Sequence, residues 1–363
     1  MRIFFALFLF AGVLHAQDTS SRCPYTYYDE CMFSPFVYGE WIYWQPVTQD
    51  PMNWESKKQE FTNTGATVAN FSHQNESIDF EFSSGFRLGA GYRVGKNAFD
   101  EPTRAWQIEA IYTRIVSEAS SGNHAIGEIS PTNPYENDFL FILLPKILAN
   151  DYRNGFSRAK LKYDRVDVDF AWPIWMSGNV ILRLMTGPVF AWVSNDWKST
   201  WVYQEADPTA INTTDLEWKY WGGGLTIASD VYLPVGKGFG FFADAGLSLL
   251  LGKMKENEFY QFTDATHDLS FSTSYRFHSF QPEVSLGVGV DYKRWFHRSW
   301  MLHISAGWEF TWWPLLNQFG RVNDPSYNNN GDWGDVATFQ RYFDNSPSGQ
   351  GFHGLTLRGG LDF

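Results

Sequence analysis

The feature that most limits how this chain can fold is a strict alternation of apolar with polar or small residues over long segments. In residues 78–94 nearly every even position is apolar, whereas the odd positions are polar or small. Successive side chains of a β-strand point to opposite faces, whereas a helix repeats every 3.6 residues. This segment is therefore predicted to be a strand, and residues 284–292, 300–313 and 354–363 repeat the pattern.

The composition agrees with a chain made mostly of strands. Aromatic residues make up 18% of the sequence, 31 residues are glycine, and only 19% are charged. Aromatic residues suit the half-buried surface of a sheet, and the low charge argues against a coiled coil or an acidic disordered chain. A formal net charge of −12 also argues against a nucleic-acid partner, because such a partner requires a basic face.

Alternation and turn residues together predict ten strands. Many of them exceed the usual five or six residues of soluble sheets and reach the roughly 9–11 that a tilted strand needs to cross a bilayer. The predicted strands cover residues 36–45, 78–94, 104–118, 158–173, 178–195, 216–233, 238–252, 280–294, 299–313 and 352–363.

The connections between these strands alternate in length. Long connections cover residues 46–77, 119–157, 196–215, 253–279 and 314–351, and short ones cover 95–103, 174–177, 234–237 and 295–298. An even strand number, with both termini on the short-turn side, is typical of outer-membrane barrels. The predicted fold is therefore all-β: an antiparallel transmembrane β-barrel of about ten strands, with long extracellular loops and short periplasmic turns.

Outward aromatic residues are expected to form a belt at each membrane interface. The predicted periplasmic belt contains Tyr92, Trp106, Trp172, Phe239, Tyr292, Trp300 and Phe363, and the outer belt contains Phe80, Tyr112, Trp192, Trp308 and Trp312. Three charged residues also face outward, namely Arg114, Lys162 and Asp164. All three are predicted near the extracellular strand ends, where an outward charge costs little.

The amino terminus has the pattern of a secretory signal peptide. Met1 and Arg2 precede an apolar run over residues 3–14, and Ala16 provides a small residue for cleavage. The run is too short for a membrane helix, which needs about 20 apolar residues. The predicted organisation is a signal peptide over 1–16, a periplasmic segment over 17–35 and a barrel over 36–363.

The periplasmic segment carries both cysteines of the chain, Cys23 and Cys31. Export to an oxidising compartment favours a disulfide between them. Their spacing alone leaves open the alternative that they form disulfides with neighbouring chains.

The polar face predicted to point into the barrel is the candidate functional site. Its charged residues are Asp79, Glu81, Arg87, Arg93, Arg165, Asp167, Asp169, Arg183, Asp244, Glu283, Asp291, His303, Glu309, Arg358 and Asp362. Inward glycines would leave space for water, and the charges would then set the ion preference of a channel. Barrels of about eight strands are filled by side chains, however, so the charges could instead form a closed ion-pair network.

Motifs for enzyme chemistry are mostly absent from the sequence, and no metal or cofactor is predicted. The cluster Asp264-Ala265-Thr266-His267-Asp268 could activate water at a barrel mouth, as in the omptin proteases, but a solvated loop is favoured. The apolar segment 139–144 has three interpretations: a short helix among the loops, which is favoured, a constriction in the lumen, or a contact surface.

Several segments resemble one family of bacterial outer-membrane proteins. They are the opening strand Gly39-Glu40-Trp41-Ile42-Tyr43-Trp44, residues 85–92, residues 163–169 and the glycine-rich last strand ending on Phe363. Together with the signal peptide and the cysteine segment, they resemble the Legionella-type major outer membrane proteins, which also occur in environmental chlamydiae.

That resemblance implies a pore-forming protein without enzymatic activity that passes ions or small hydrophilic solutes. It also implies possible disulfide-linked envelope complexes through Cys23 and Cys31. Phe363 resembles the signal read by the barrel assembly machinery. The implied partners are outer-membrane lipid, that machinery, the permeating solutes and host or envelope surfaces contacted by the loops. A closed barrel serving as a structural or adhesin protein is the main alternative.

Overall fold

The computed structural model describes residues 33–48, 52–62, 69–94, 106–121, 124–125, 136–142, 152–177, 180–203, 211–263, 268–297, 300–317, 321–322, 343–344 and 348–363. The strands of this part are β1 (Phe33–Thr48), β2 (Met52–Thr62), β3 (Ala69–Ile78), β4 (Ser83–Val94), β5 (Trp106–Ser120), β6 (His124–Ala125), β7 (Glu136–Ile142), β8 (Tyr152–Ser177), β9 (Val180–Tyr203), β10 (Ile211–Gly236), β11 (Phe239–Thr263), β12 (Asp268–His297), β13 (Trp300–Asn317), β14 (Arg321–Val322), β15 (Phe343–Asp344) and β16 (Ser348–Asp362).

Ten of these strands form one closed antiparallel ring. The ring follows the chain through β1, β4, β5, β8, β9, β10, β11, β12, β13 and β16, and β16 pairs back onto β1. Closure pairs the backbone of every member with two neighbours, as a membrane barrel requires. The prediction of a ten-stranded antiparallel barrel is confirmed.

Two connections predicted to be long loops consist mostly of strand. β9 and β10 continue until residues 204–210, and β11 and β12 continue until residues 264–267. Many outward residues of these extensions are charged, among them Asp196, Lys198, Lys253 and Lys255, which hid the strands from a search for apolar alternation. Their inward residues include the buried Trp197 and Trp201 of β9 and Met254 of β11, together with buried polar groups such as Glu256 and Glu258.

The first two long connections also contain strands. β2 pairs with β3 as a hairpin, and β7 pairs with β2. The apolar segment starting at Phe139 therefore lies in a strand as far as Ile142, and the favoured interpretation as a helix is wrong. Its backbone hydrogen bonds are made to a neighbouring strand rather than within the segment. No helix among the described residues is long and apolar enough to span a membrane.

The outer wall of the barrel has an apolar band around its middle. We name the two ends of the barrel by the connections between strands found there. The turn end contains the tight β10–β11 turn at Lys237 and Gly238, and the loop end is opposite. Exposed aliphatic residues form the middle of the band: Leu225, Ile227, Leu247, Leu249 and Val288. Exposed aromatic residues flank it, with Trp106, Phe239 and Trp300 towards the turn end and Trp192, Trp221 and Trp308 towards the loop end.

One aromatic residue of the predicted outer belt lies elsewhere. Phe80 is only 3% exposed and belongs to the apolar interior of the barrel. Residues 79–82 lie outside strand structure, so the alternation of the sequence does not hold the side chain on the outer face there. The Phe80 carbonyl instead accepts a hydrogen bond from Gln45 Nε2 at 2.8 Å.

Inward glycines make room for aromatic rings rather than for an open passage. Gly89 lies directly opposite Tyr38 in the β1–β4 ladder, and a Cβ at Gly89 would clash with the tyrosine ring. Gly359 provides the contrast, because it faces outward and a Cβ there would meet nothing within 4 Å. The glycine on the inner face is thus required for packing.

We expect Gly89→Ala to lower the free energy of unfolding by about 1–3 kcal/mol, the usual cost of overpacking. Gly359→Ala should leave it unchanged or raise it by about 0.4–1 kcal/mol. Urea unfolding of the two variants in lipid vesicles, followed by electrophoretic heat-modifiability, measures the difference. Equal stabilities for the two variants would contradict the packing role assigned to Gly89.

Candidate functional site

The lumen is divided into two layers, and the layer nearer the loop end is apolar. Tyr163, Tyr220, Trp313 and Phe352 project into it from β8, β10, β13 and β16, and all four are at most 2% exposed. The ring of Tyr163 lies 4.8 Å from Phe352 and 6.3 Å from Trp313, and Trp313 lies 6.3 Å from Tyr220. We call these four side chains the aromatic layer. They fill the lumen at this level.

Below the aromatic layer, towards the turn end, is a charged chamber with a cavity of about 300 Å³. Its carboxylates are Glu40, Glu109, Asp167, Asp169, Asp230, Asp244, Asp291, Glu309 and Asp362, and its basic groups are Arg87, Arg93, Arg165, Arg183, Lys293 and Arg358, with His303 beside them. We call this set the chamber. Charged groups at such depth require either partners or water.

Glu40 forms the centre of the chamber's largest cluster. It lies directly opposite Arg358 in one ladder and opposite Arg87 in the other, so the register of β1 brings both guanidinium groups to its fully buried carboxylate. Arg87 Nη1 lies 2.6 Å from Glu40 Oε2, and Arg358 Nε lies 2.5 Å from Glu40 Oε1. Arg87 also binds Glu309 with both terminal nitrogens, at 3.0 and 2.9 Å. Such two-pronged contacts fix an arginine in both position and orientation.

A second cluster surrounds Arg165 of β8. Its Nε donates to both carboxylate oxygens of Asp167, at 2.9 and 2.8 Å, and its Nη1 pairs with Glu283 of β12. Arg165 Nη2 also donates to Ser248 at 3.4 Å. The pair with Glu283 spans the interior of the barrel, because β8 and β12 are separated by three strands in the ring. Arg165 therefore stands across the lumen.

The part of the chamber nearest the turn end holds three smaller ion pairs. Arg183 donates from Nη2 to Asp230 at 2.7 Å, and Arg93 Nη1 lies 2.7 Å from Asp362. Asp291 Oδ2 accepts contacts from Lys293 at 3.1 Å and from His303 Nε2 at 3.2 Å. The Arg183–Asp230 pair joins neighbouring strands, whereas the Arg93–Asp362 pair reaches from β4 across β1 to β16.

The ion pairs leave some chamber oxygens for water or a solute. Among the described residues, Asp169 Oδ1 and Asp362 Oδ2 are buried without a hydrogen-bond partner from the protein. The cavity they border is large enough for several water molecules. The chamber can therefore hold hydrated ions or a small polar solute among fixed charges of both signs. No group of three or more metal-ligating side chains occurs within the described ranges.

The structure gathers most of the predicted site residues in one place. Twelve of them border the cavity: Arg87, Arg93, Arg165, Asp167, Asp169, Arg183, Asp244, Asp291, His303, Glu309, Arg358 and Asp362. Glu283 is buried beside Arg165. Glu81 is different, because it lies exposed in the segment between β3 and β4. Asp79 shares that segment and is also exposed.

Sequence reasoning missed four charged groups of the chamber, Glu40, Glu109, Asp230 and Lys293. Continuing the alternation along β5, β10 and β12 would have found the last three. Glu40 gave no such signal, because both faces of β1 carry aromatic residues, with Trp41 pointing outward and Trp44 inward. Its importance comes from its two cross-strand partners, which only the register reveals.

Other predicted features fall outside the described residues. These are the signal peptide, Cys23, Cys31 and Asp264 to His267 of the acid–histidine cluster.

Comparison with known families identifies the class of protein that has this barrel and chamber. The family model described as Legionella pneumophila major outer membrane protein precursor matches residues 36–338. The chain belongs to this family of bacterial outer-membrane proteins, as the sequence resemblance predicted. The bacterial outer membrane is accordingly its location, with the loop end facing outward as in other barrels of this membrane.

No curated protein matches the chain. Among solved structures it is similar to the outer membrane protease OmpT from Escherichia coli, at 10% identity over 94% of this chain and 99% of that one, with a TM-score of 0.32. It is also similar to the CymD monoaromatic hydrocarbon channel, at 8% identity over 91% and 88% with a TM-score of 0.29. An anion-selective porin from Comamonas acidovorans gives 8% identity over 90% and 99%, with a TM-score of 0.16. These scores support no inference about function.

The buried position of Glu40 gives a stability prediction. Glu40→Gln removes the charge shared by Arg87 and Arg358, and removing one partner of a buried ion pair costs about 3–5 kcal/mol. Glu118→Gln is the control, because Glu118 is exposed where it contacts Lys160 and Arg158, and exposed pairs contribute little. Urea unfolding in lipid vesicles measures both variants. A stable Glu40→Gln barrel would contradict the central role of this carboxylate.

Proposed function

We propose that this protein is a narrow outer-membrane channel that lets ions or small hydrophilic solutes diffuse through the barrel without enzymatic activity. The observation that carries the proposal is the charged chamber, a cavity of about 300 Å³ bordered by fixed charges of both signs. A barrel interior that served only as an anchor could be filled with apolar side chains, as the aromatic layer is. The chamber residues Glu40, Arg87, Glu309 and Arg358 instead make the interior polar at this level, and in the proposed channel they line the path of the ions.

The aromatic layer limits this channel. Its side chains are packed against one another at the level above the chamber. Apolar constrictions in channels restrict flow because water and ions leave them. A permeating ion must therefore displace part of this layer, and we expect a small conductance with long closed periods.

The same layer supports a second candidate function. If the layer never opens, the barrel is a closed anchor that holds its surface loops in the membrane as a structural or adhesin protein. The two functions differ in one measurable property, which is the passage of ions through the intact protein.

Single-channel recording in planar bilayers tests the proposal. The purified protein should give small discrete steps, and Trp313→Ala should increase the step size several-fold, because it removes one side chain of the aromatic layer. Trp308→Ala is the matched control, since this tryptophan is 47% exposed on the outer wall. Silence from folded wild-type protein and from folded Trp313→Ala would refute the channel and leave the closed anchor.

Reversal potentials under a salt gradient test whether the chamber is the path. Arg87→Gln removes a positive charge from the chamber, whereas Glu309→Gln removes the negative charge that binds it. If ions pass these residues, the first variant should shift the preference towards cations and the second towards anions. Shifts of the same sign, or no shift in either variant, would mean that ions do not pass the Arg87–Glu309 pair.

A further inference from the structure

A row of basic residues crosses the outer wall near the loop end. Lys219 of β10 lies directly opposite Lys255 of β11, and Lys255 lies directly opposite Arg276 of β12. All three point outward, because the adjoining Tyr220 and Met254 are buried in the interior and Phe277, next to Arg276, packs against the same core. We call Lys219, Lys255 and Arg276 the basic row.

The basic row is electrostatically unfavourable by itself. Side chains directly opposite each other on an antiparallel sheet lie about 4.5–5.5 Å apart at Cβ, and like charges at that distance destabilise the sheet. Lys219 forms an ion pair with Glu217, which also accepts a hydrogen bond from Asn257 at 2.6 Å. Within the described part of the chain, no ion pair involves Lys255 or Arg276. The row therefore has more positive charge than its neighbours neutralise.

Other cations on the same wall are arranged differently. Arg114 lies opposite Asp164, with Nη1 3.4 Å from the carboxylate. Lys160 Nζ lies 2.5 Å from Glu118, and Lys162 Nζ lies 3.6 Å from Asp196. On these strands each cation has a carboxylate on the adjacent strand. The two like-charged pairs of the basic row depart from this arrangement.

The position of the basic row beside the apolar band indicates which group neutralises its positive charge. Trp221 of β10 and Lys253 of β11 each lie two positions nearer the apolar band than the basic row does. Lys253 Nζ is 5.8 Å from the centre of the Trp221 ring. Next along the wall come Leu251 and Phe280, which are 64% and 53% exposed. Aromatic residues of this kind mark the boundary between acyl chains and headgroups. The basic row thus lies at the level of the lipid headgroups.

We propose that the basic row, together with Lys253, binds the phosphate groups of an anionic lipid of the outer leaflet. Phosphate oxygens suit the guanidinium of Arg276 and the ammonium groups of Lys219 and Lys255. The adjoining Leu251 and Phe280 provide the apolar surface along which acyl chains of the same molecule lie. This continuity of basic and apolar surface favours a lipid over a free phosphate ion. The site is on the outside of the barrel and is independent of the proposed channel.

Thermal unfolding in an uncharged maltoside detergent tests the proposal, with diphosphorylated lipid A as the probe. The lipid should raise the unfolding midpoint of the wild-type barrel, because it binds the folded state. The double variant Lys255→Gln, Arg276→Gln should bind the lipid at least tenfold more weakly. Without lipid the same variant should unfold at a slightly higher temperature than wild type, since the repulsion is removed. A merely structural defect would change the midpoint in the opposite direction.

The control is a second double variant, Lys160→Gln, Lys162→Gln, which removes the same charge from the same wall where carboxylates are adjacent. It should bind lipid A as wild type does. Equal affinity of wild type and Lys255→Gln, Arg276→Gln would overturn the proposal. An equal rise in midpoint with inorganic phosphate, at the same phosphate concentration, would also overturn it, because the site would then take a free anion. If the double variant fails to fold, the single variant Arg276→Gln replaces it, and its affinity for lipid A should be several-fold lower than that of wild type.

Discussion

The structure depends on the need to pair every backbone amide and carbonyl that lies at membrane depth. A sheet meets this need in lipid only when its first and last strands pair, and here β1 joins β16 along thirteen consecutive residue pairs. Ten strands make a narrow ring, so an inward side chain meets those of the opposite wall rather than open water. The pair between Arg165 and Glu283 across three intervening strands is a direct result. The small radius of the barrel thus brings charged side chains from opposite walls together into one candidate functional site.

Inside this narrow barrel, the aromatic layer and the charged chamber are stabilised by different interactions. The aromatic layer is held by ring contacts, whereas the chamber is held by ion pairs between inward carboxylates and guanidinium groups. Glu40 shows how the sheet provides this arrangement, because one carboxylate on β1 faces a guanidinium on each adjacent strand. Glycines opposite large rings, such as Gly89 opposite Tyr38, let the chamber be lined by tyrosine as well as by charge. Arg358 lies over the Tyr38 ring at 4.3 Å, which adds a cation–π contact to the same cluster.

The outer wall changes character along the strands while the ladder continues. Near the middle it presents aliphatic side chains to lipid, and beyond the loop-end aromatic residues it presents charges in cross-strand pairs. Glu118 illustrates the outer part: hydrogen bonds from Lys160 and Arg158 lower its pKa from the usual value. The inner face of the same extensions combines buried aromatic residues, such as Trp197, with buried polar ones, such as Glu256 and Glu258. The outward residues thus change from apolar within the membrane band to polar or charged beyond it. This change makes the ends of the strands hard to recognise in the sequence.

The sequence alone determined that the chain forms ten membrane-crossing strands and which side of most of them faces inward, because a period of two leaves no other regular structure. The resemblance of residues 85–92 and 163–169 to one family indicated the class of protein. The lengths of β11 and β12 were not readable, since their outward residues beyond the band look like those of a loop. The tertiary structure alone decided that Glu40 binds two arginines, that four aromatic rings meet in one layer of the lumen and that Lys219, Lys255 and Arg276 form one row. Each of these depends on the register between strands distant in sequence, which hydrogen bonding and packing of the closed ring set and which no local pattern records.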